Sequence, residues 1–318
     1  VGGPLLRDEG SNPGHNAGIL PYEPNPTEKW SLDYRLKSTN FLQEPTVIFK
    51  FGGSAWRQEN WRTIIVDRIK QLLELQKKHP VILTTGGGRV QEVSKDMYDS
   101  LGVSEETYRQ SAGRALATQA QTLADLLGNK GIYVEPDALH YITTGMLKEK
   151  IPVVSMLGRD YIDFVEIEES GTKRHINRIP EDQSDAHTVV IGHYFGQNGA
   201  IWGKATDGIW IVDPNVTEVH GEIYIKLQDY LKKLGYTENV RLPEIKATEM
   251  LEGRISRMGR DFRSQHLAED LGLRLYLNRV STVQWLQVIN INDPTHVLRA
   301  FEGYAKGKYD VGSIITKG

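Results

Sequence analysis

Residues 46–54 read TVIFKFGGS: β-branched and aromatic side chains up to Phe51, one lysine at position 50, then Gly52-Gly53-Ser54. Such a run is apolar on both sides of a pleated chain, which predicts a strand inside a sheet that is covered on both faces. The glycines end it, and an amphipathic pattern through about Gln76 predicts a helix that opens at the glycine turn. The unit then repeats. Residues 81–85 (VILTT) read as a strand, Gly86-Gly87-Gly88 as a loop, and a helix starts near Val90. Ser104 before Glu105 and Glu106 reads as an N-cap with charges that suit a helix N-terminus, opening a long helix to about Leu127 that Gly128-Asn129 stops. Short strands at 132–134 and 153–155 flank another helix. Strands alternating with helices in this way predict βαβ units around a mostly parallel sheet.

Further along, residues 163–178 break the pattern. Alternation at 164–168, a Ser170-Gly171 turn and alternation back to Ile176 predict an inserted hairpin. The α/β pattern resumes with a helix near 184–195, a strand near 200–202 and the segment 204–215. A long charged helix is expected over 244–271, a strand over 286–290, a helix from Asp293 and a last strand over 311–316. The first 27 residues differ again, being rich in glycine and proline and poor in apolar residues. They read either as a disordered tail or as an extended arm on a neighbouring subunit, with Leu20, Tyr22, Trp30 and Tyr34 as anchors. The division expected is an arm over 1–45 and one α/β domain over 46–318, with lobes at 46–183 and 184–318.

Composition narrows the function. The 318 residues carry 38 basic and 41 acidic side chains, a formal net charge of −3, which gives no footprint for nucleic acid. The absence of cysteine excludes disulfides, thiolate metal centres and thiol catalysis. No apolar run approaches the roughly 20 residues of a membrane span, and no leader pattern is visible, so a cytoplasmic protein is expected. Glycine, at 31 residues, is the compositional outlier.

Position matters more than number for those glycines. Gly52, Gly53 and Ser54 let backbone N–H groups approach an anion, and Lys50 adds a mobile positive charge. Gly86, Gly87 and Gly88 stand at the equivalent end of the next strand, and two such loops suggest a shared phosphate-binding rim. A third cluster, residues 204–215 (KATDGIWIVDPN), places Lys204, Asp207 and Asp213 around tight turns, where they could hold a nucleotide and its magnesium or simply decorate a hairpin. Neither GxxxxGK[ST] nor a helix-opening GxGxxG is present.

The ordered set KFGGS at 50–54, GGG at 86–88, SDA at 184–186 and DGIWIVDPN at 207–215, closed by VGSIIT at 311–316, resembles the amino-acid kinase superfamily over roughly residues 46–317. The resemblance implies a three-layer α/β/α sandwich with a largely parallel sheet, binding ATP with Mg2+. It further implies that Lys50 contacts the transferred phosphoryl group, Lys204 stabilises its charge and Asp185 orients the two lysines. Gly52, Gly53, Ser54, Gly86, Gly87 and Gly88 would line the phosphates, and Asp207, Gly208, Asp213 and Asn215 would lie along the nucleotide.

Within the superfamily, residues 179–186 and 288–315 resemble the molybdenum storage proteins, as does Thr118-Gln119-Ala120. That likeness implies a homo- or hetero-hexameric cage that accumulates molybdate or tungstate clusters with ATP, His140 and His175 being the candidate cluster ligands. His187 and His193, six apart, read as structural or solvated. The alternative is a uridylate kinase transferring phosphate from ATP to UMP, with Arg89 and Arg114 near the acceptor. A third reading is a non-catalytic nucleotide-binding assembly protein.

Overall fold

A computed structural model of the chain describes residues 45–155, 184–205 and 283–316, with Leu42 and the strand segments 165–169, 172–176, 209–210, 241–242 and 244–246. Along these residues run β1 (Val47–Phe51), α1 (Trp61–Gln76), β2 (Val81–Thr85), α2 (Gly88–Leu101), α3 (Glu105–Leu126), β3 (Gly131–Val134), α4 (Thr144–Glu149) and β4 (Ile151–Val154). They continue with β5 (Val165–Glu169), β6 (Thr172–Ile176), α5 (Ser184–Tyr194), β7 (Gly199–Lys204), β8 (Ile209–Trp210), β9 (Arg241–Leu242), β10 (Glu244–Lys246), β11 (Trp285–Asn290), α6 (Pro294–Lys306) and β12 (Ser313–Thr316).

Eight strands form one sheet in the order β10-β12-β11-β7-β1-β2-β4-β3. All neighbours pair parallel except β11 and β12, which run antiparallel. The expected sandwich is therefore present. Alternation along β1 assigns its side chains to two cores. Val47, Phe49 and Phe51 face one layer, where α1 contributes Ile65, Ile69 and Leu72, α3 Ala120 and Leu123, and α6 Val297, Ala300 and Phe301. Ile48 faces the other, with Val189 and Ile191 of α5 and Leu147 of α4. Phe49 has no solvent exposure and packs its ring 5.4 Å from Phe51 and 5.5 Å from Phe301. Truncating a buried phenylalanine to alanine costs about 3–5 kcal/mol, so the centre of β1 anchors this layer.

Helix ends follow the sequence closely. Ser104 accepts a hydrogen bond from the Thr107 amide, and Gly128 takes the left-handed conformation (φ 60°) that ends α3. Asp293 caps α6 through the Thr295 amide.

Three expectations are corrected. The helix after β1 does not open at the glycine turn: a 3-10 turn over Gly53–Arg57 intervenes and α1 begins at Trp61. Tight i to i+3 winding keeps Trp56 pointing inward, where its indole N–H donates to Thr85 Oγ1 at 3.1 Å. The helix expected from residue 244 begins as a strand, because Glu244–Lys246 pairs parallel with Ile314–Thr316 and so extends the sheet. The remainder of that stretch, to residue 271, lies outside the described residues. Lys204, expected beyond the strand near 200–202, is the last residue of β7. The hairpin arms expected at 163–178 pair antiparallel, Val165 opposite Ile176, while their turn is outside the described residues. The 1–45 arm, apart from Leu42 and Pro45, also lies outside them.

Candidate functional site

Ligand sites in open parallel sheets form at the carboxyl ends of the strands, where neighbouring connections diverge. Here the divergence is at β1: the chain proceeds to β2 on one side and returns as β7 on the other. Lys50, Gly52 and Lys204 all stand at that point.

Lys50 is two residues beyond Ile48 on the same face, so pleating directs its side chain toward α5. It is 2% exposed, and it donates to Asp185 Oδ1 in the first turn of α5. Lys204, 4% exposed, donates to Asp185 Oδ1 at 2.8 Å and Oδ2 at 2.9 Å. Asp185 itself is 9% exposed. A buried ammonium is stable only when paired and hydrogen-bonded, and one carboxylate serves two of them here. The Trp202 ring lies beside both, 5.8 Å from Lys50 Nζ and 5.3 Å from Lys204 Nζ, within cation–π range. Trp202 escaped the reading of the sequence. Its signal was its place two residues before Lys204 on one strand face.

The two glycine loops interlock. The Gly52 amide donates to Gly203 O at 2.6 Å and the Gly86 amide to Phe51 O at 2.7 Å. Both N–H groups thus extend the sheet rather than face a ligand, which corrects their expected role as anion donors. A Cβ on Gly52 would lie 2.5 Å from Gly203 O, and one on Gly86 2.5 Å from Gly53 N. Glycine is required at both positions by backbone meeting backbone. Ser54 also has a structural partner, its Oγ accepting from the Ala205 amide at 2.9 Å. The amides of Gly53, Ser54, Gly87 and Gly88 have no backbone partner among the described residues. Gly88, at φ 51°, opens α2, whose first turn has neither a side-chain cap nor an acidic residue. Those amides are the donors the loops can offer an anion.

The structure thus brings Lys50, Asp185 and Lys204 together beside Gly52, Gly53, Ser54 and Gly86–Gly88. Asp207, Gly208, Asp213 and Asn215 lie outside the described residues. His140 is exposed on the short turn Pro136–Tyr141, with its ring 4.0 Å from that of Tyr141. His175 sits on β6 in register with Glu166. Among the described residues no group of three or more His, Asp or Glu is arranged to hold a metal ion. His187 and His193 are buried on α5. Arg89 donates to Arg57 O at 3.2 Å, and Arg114 is exposed on α3. No described helix is long and apolar enough to cross a membrane.

No protein-family profile matches the chain, and no curated protein matches it by sequence. Solved structures do match. The uridylate kinase of Archaeoglobus fulgidus superposes with a TM-score of 0.53 at 17% identity, covering 85% of this chain and 100% of its own. The fold is that of the uridylate kinases. The UMP kinase of Ureaplasma parvum gives a TM-score of 0.54 at 16% identity, covering 87% of this chain and 98% of its own. The UMP kinase of Bacillus anthracis gives 0.52 at 15%, covering 86% and 97%. At these identities the likeness is one of fold, and each of these kinases is spanned almost completely.

Proposed function

We propose that this chain belongs to the amino-acid kinase superfamily and transfers the γ-phosphoryl group of ATP to a small acceptor, a nucleoside monophosphate such as UMP being the first candidate. The observation that carries this reading is the convergence of Lys50 and Lys204 on Asp185 at the carboxyl ends of adjacent strands, beside two interlocked glycine loops. Phosphoryl transfer asks a protein chiefly for positioning and for positive charge where charge accumulates. Lys50 and Lys204 supply that charge, Asp185 fixes their ammonium groups, and the amides of Gly53, Ser54, Gly87 and Gly88, which have no backbone partner among the described residues, supply oriented donors. The uridylate kinase fold supports UMP as the acceptor to try first.

In this reading residues 46–183 carry the acceptor side and residues 184–318 the nucleotide, with Asp207, Gly208, Asp213 and Asn215 along it. The described residues do not offer a magnesium cradle. Asp185, the buried carboxylate at the site, already lies between two ammonium groups. A magnesium ion would instead arrive on the nucleotide phosphates. The test is a coupled assay with ATP and UMP on wild type and Lys50→Met. Turnover of roughly 1–100 per second, lost in the variant, supports the proposal; absence of turnover with UMP and the other nucleoside monophosphates overturns it.

A second reading, deposition of molybdate or tungstate in an oligomeric cage driven from the same nucleotide site, draws support from the similarity of residues 179–186 and 288–315 to the storage proteins. Elemental analysis of protein from molybdate- and tungstate-supplemented cells decides it. Metal in no stoichiometric excess removes the storage role together with the proposed parts of His140 and His175.

A further inference from the structure

The apolar face of α2 is turned outward. Val90, Val93, Met97 and Leu101 are 46%, 60%, 51% and 69% exposed, and Gly88 is the one buried residue of the helix. Their spacings of three, four and four residues align them along a single helix face. What α2 turns toward the domain is polar or aromatic. Ser94 Oγ shares a hydrogen bond of 2.8 Å with Ser111 Oγ of α3, the Tyr98 ring lies 5.2 Å from that of Tyr108, and Glu92 pairs with Arg57 of the 3-10 turn. A surface helix ordinarily buries its apolar stripe and shows its polar side to water, so α2 is inside out for a monomer.

Single exposed apolar side chains need no explanation, but four in one line form a patch. At these exposures they leave on the order of 400 Å2 of side chain open, about half of the roughly 800 Å2 that each partner gives to a standard interface. That is the share expected of an apolar interface core, the rim being polar. A lipid surface fits poorly, because α2 carries Arg89 and Lys95 against Glu92, Asp96 and Asp99 and so is net negative. The stripe instead matches itself. Turned end for end about a point near residue 95, it sets Val90 against Leu101 and Val93 against Met97, so each short β-branched side chain meets a longer one. A two-fold axis demands that self-complementarity, because both partners then present the same patch.

We propose that α2 is an interaction surface for a second copy of this chain, the two α2 helices lying antiparallel across a two-fold axis near residue 95 with Val90, Val93, Met97 and Leu101 as the core of the contact. Because α2 opens at Gly88, the pairing ties together the second glycine loops of two candidate sites. The surface does not depend on the chemistry proposed for those sites.

Sedimentation velocity of the full chain at micromolar concentration tests the proposal. Wild type should sediment as a dimer or a multiple of one. Val93→Glu and Met97→Glu combined place carboxylates at two exposed positions in the middle of the stripe. They should at least halve the particle mass, with circular dichroism and melting temperature showing an intact fold. The chain has no cysteine, so single introduced cysteines report the geometry directly. Val93→Cys mixed with Met97→Cys, and Val90→Cys mixed with Leu101→Cys, should form disulfide-linked dimers under mild oxidation. Val90→Cys alone should not, since antiparallel packing sets the two positions about 16 Å apart along the helix at 1.5 Å per residue, beyond the roughly 7 Å that a disulfide spans. A monomeric wild type overturns the proposal and leaves the stripe to a segment of the same chain, such as the N-terminal arm, or to a different protein. A well-folded double variant of unchanged mass, or Val90→Cys that links to itself as readily as to Leu101→Cys, overturns it as well. A dimer of this geometry that transfers nothing from ATP sustains the surface and removes only the kinase reading.

Discussion

Lys204 donates to both oxygens of Asp185, at 2.8 and 2.9 Å, joining the last residue of β7 to the second residue of α5. Lys50 reaches the same carboxylate from β1. The three charges depend on one another, since each lysine lies in a core that tolerates an ammonium only beside its partner.

Asp185→Asn keeps the shape and removes the charge. Two ammonium groups would then face each other in a buried site, and breaking such a pair typically costs about 3–5 kcal/mol. The expected result is a clear fall in the denaturant midpoint and a loss of ATP-dependent transfer of roughly 100-fold or more. Chemical denaturation and the coupled assay, run on the same preparations, measure the two effects separately. Wild-type stability in the variant would show that the carboxylate is dispensable.

Gly86→Ala should be far more damaging than an alanine at a merely left-handed glycine. Its Cβ would lie 2.5 Å from Gly53 N and 3.3 Å from Gly52 C, all backbone that cannot swing aside. Overpacking of this kind costs about 1–3 kcal/mol or more, and here it also separates the two loops. Gly102→Ala is the control: φ is 63° with nothing within 4 Å, so only backbone strain of about 1–2 kcal/mol applies. Nucleotide binding should disappear in the first variant and persist in the second, as read by calorimetry with ATP.

Trp202 is expected to hold the lysines through its ring face. Trp202→Phe retains an aromatic face and should keep transfer within a few-fold of wild type. Trp202→Leu removes it, and a desolvated cation–π contact of about 2 kcal/mol corresponds to a loss of roughly 30-fold. Equal rates in the two variants would assign Trp202 to packing alone.

His79 gives the fold a dependence on pH. Burial holds its imidazole below the ordinary histidine value of about 6.5, Lys78 adds to the depression, and the ring stands edge-on to Phe301 at 6.4 Å. The native state therefore binds the proton less readily than the unfolded chain. Its contribution to stability is complete above about pH 6.5 and is lost as pH falls from there through the depressed native value. Melting temperatures between pH 5 and 8 should decline at the acid end in wild type, and His79→Gln should flatten this part of the profile. An identical decline in both would place the titration elsewhere.

Local pattern was a good guide wherever the two faces of a strand or helix had fixed surroundings. The run at 46–51 and its counterpart at 81–85 are buried strands because apolar side chains on both faces leave no other stable placement. Ser104 and Gly128 mark the ends of α3 because capping is a property of a few adjacent residues. Residues 244–246 misled for the opposite reason. Glu244-Ile245-Lys246 fits a charged helix equally well in isolation, and a pairing with β12, some 70 residues downstream, makes it an edge strand.

The candidate site divides in the same way. From sequence alone came the α/β class, the glycines at two strand ends, and Lys50, Asp185 and Lys204 as residues of interest through family resemblance. Those are matters of residue type and near-neighbour spacing. Tertiary structure alone decided that Lys50 and Asp185, 135 positions apart, share a hydrogen bond. It also decided that Gly52 and Gly86 spend their amides on the sheet, and that Gln119 brings its carboxamide nitrogen to the start of α2. The reason is physical: hydrogen-bond partners and desolvation depend on which strands adjoin, and the order β7-β1-β2 is set by packing across the whole chain rather than by any stretch of it.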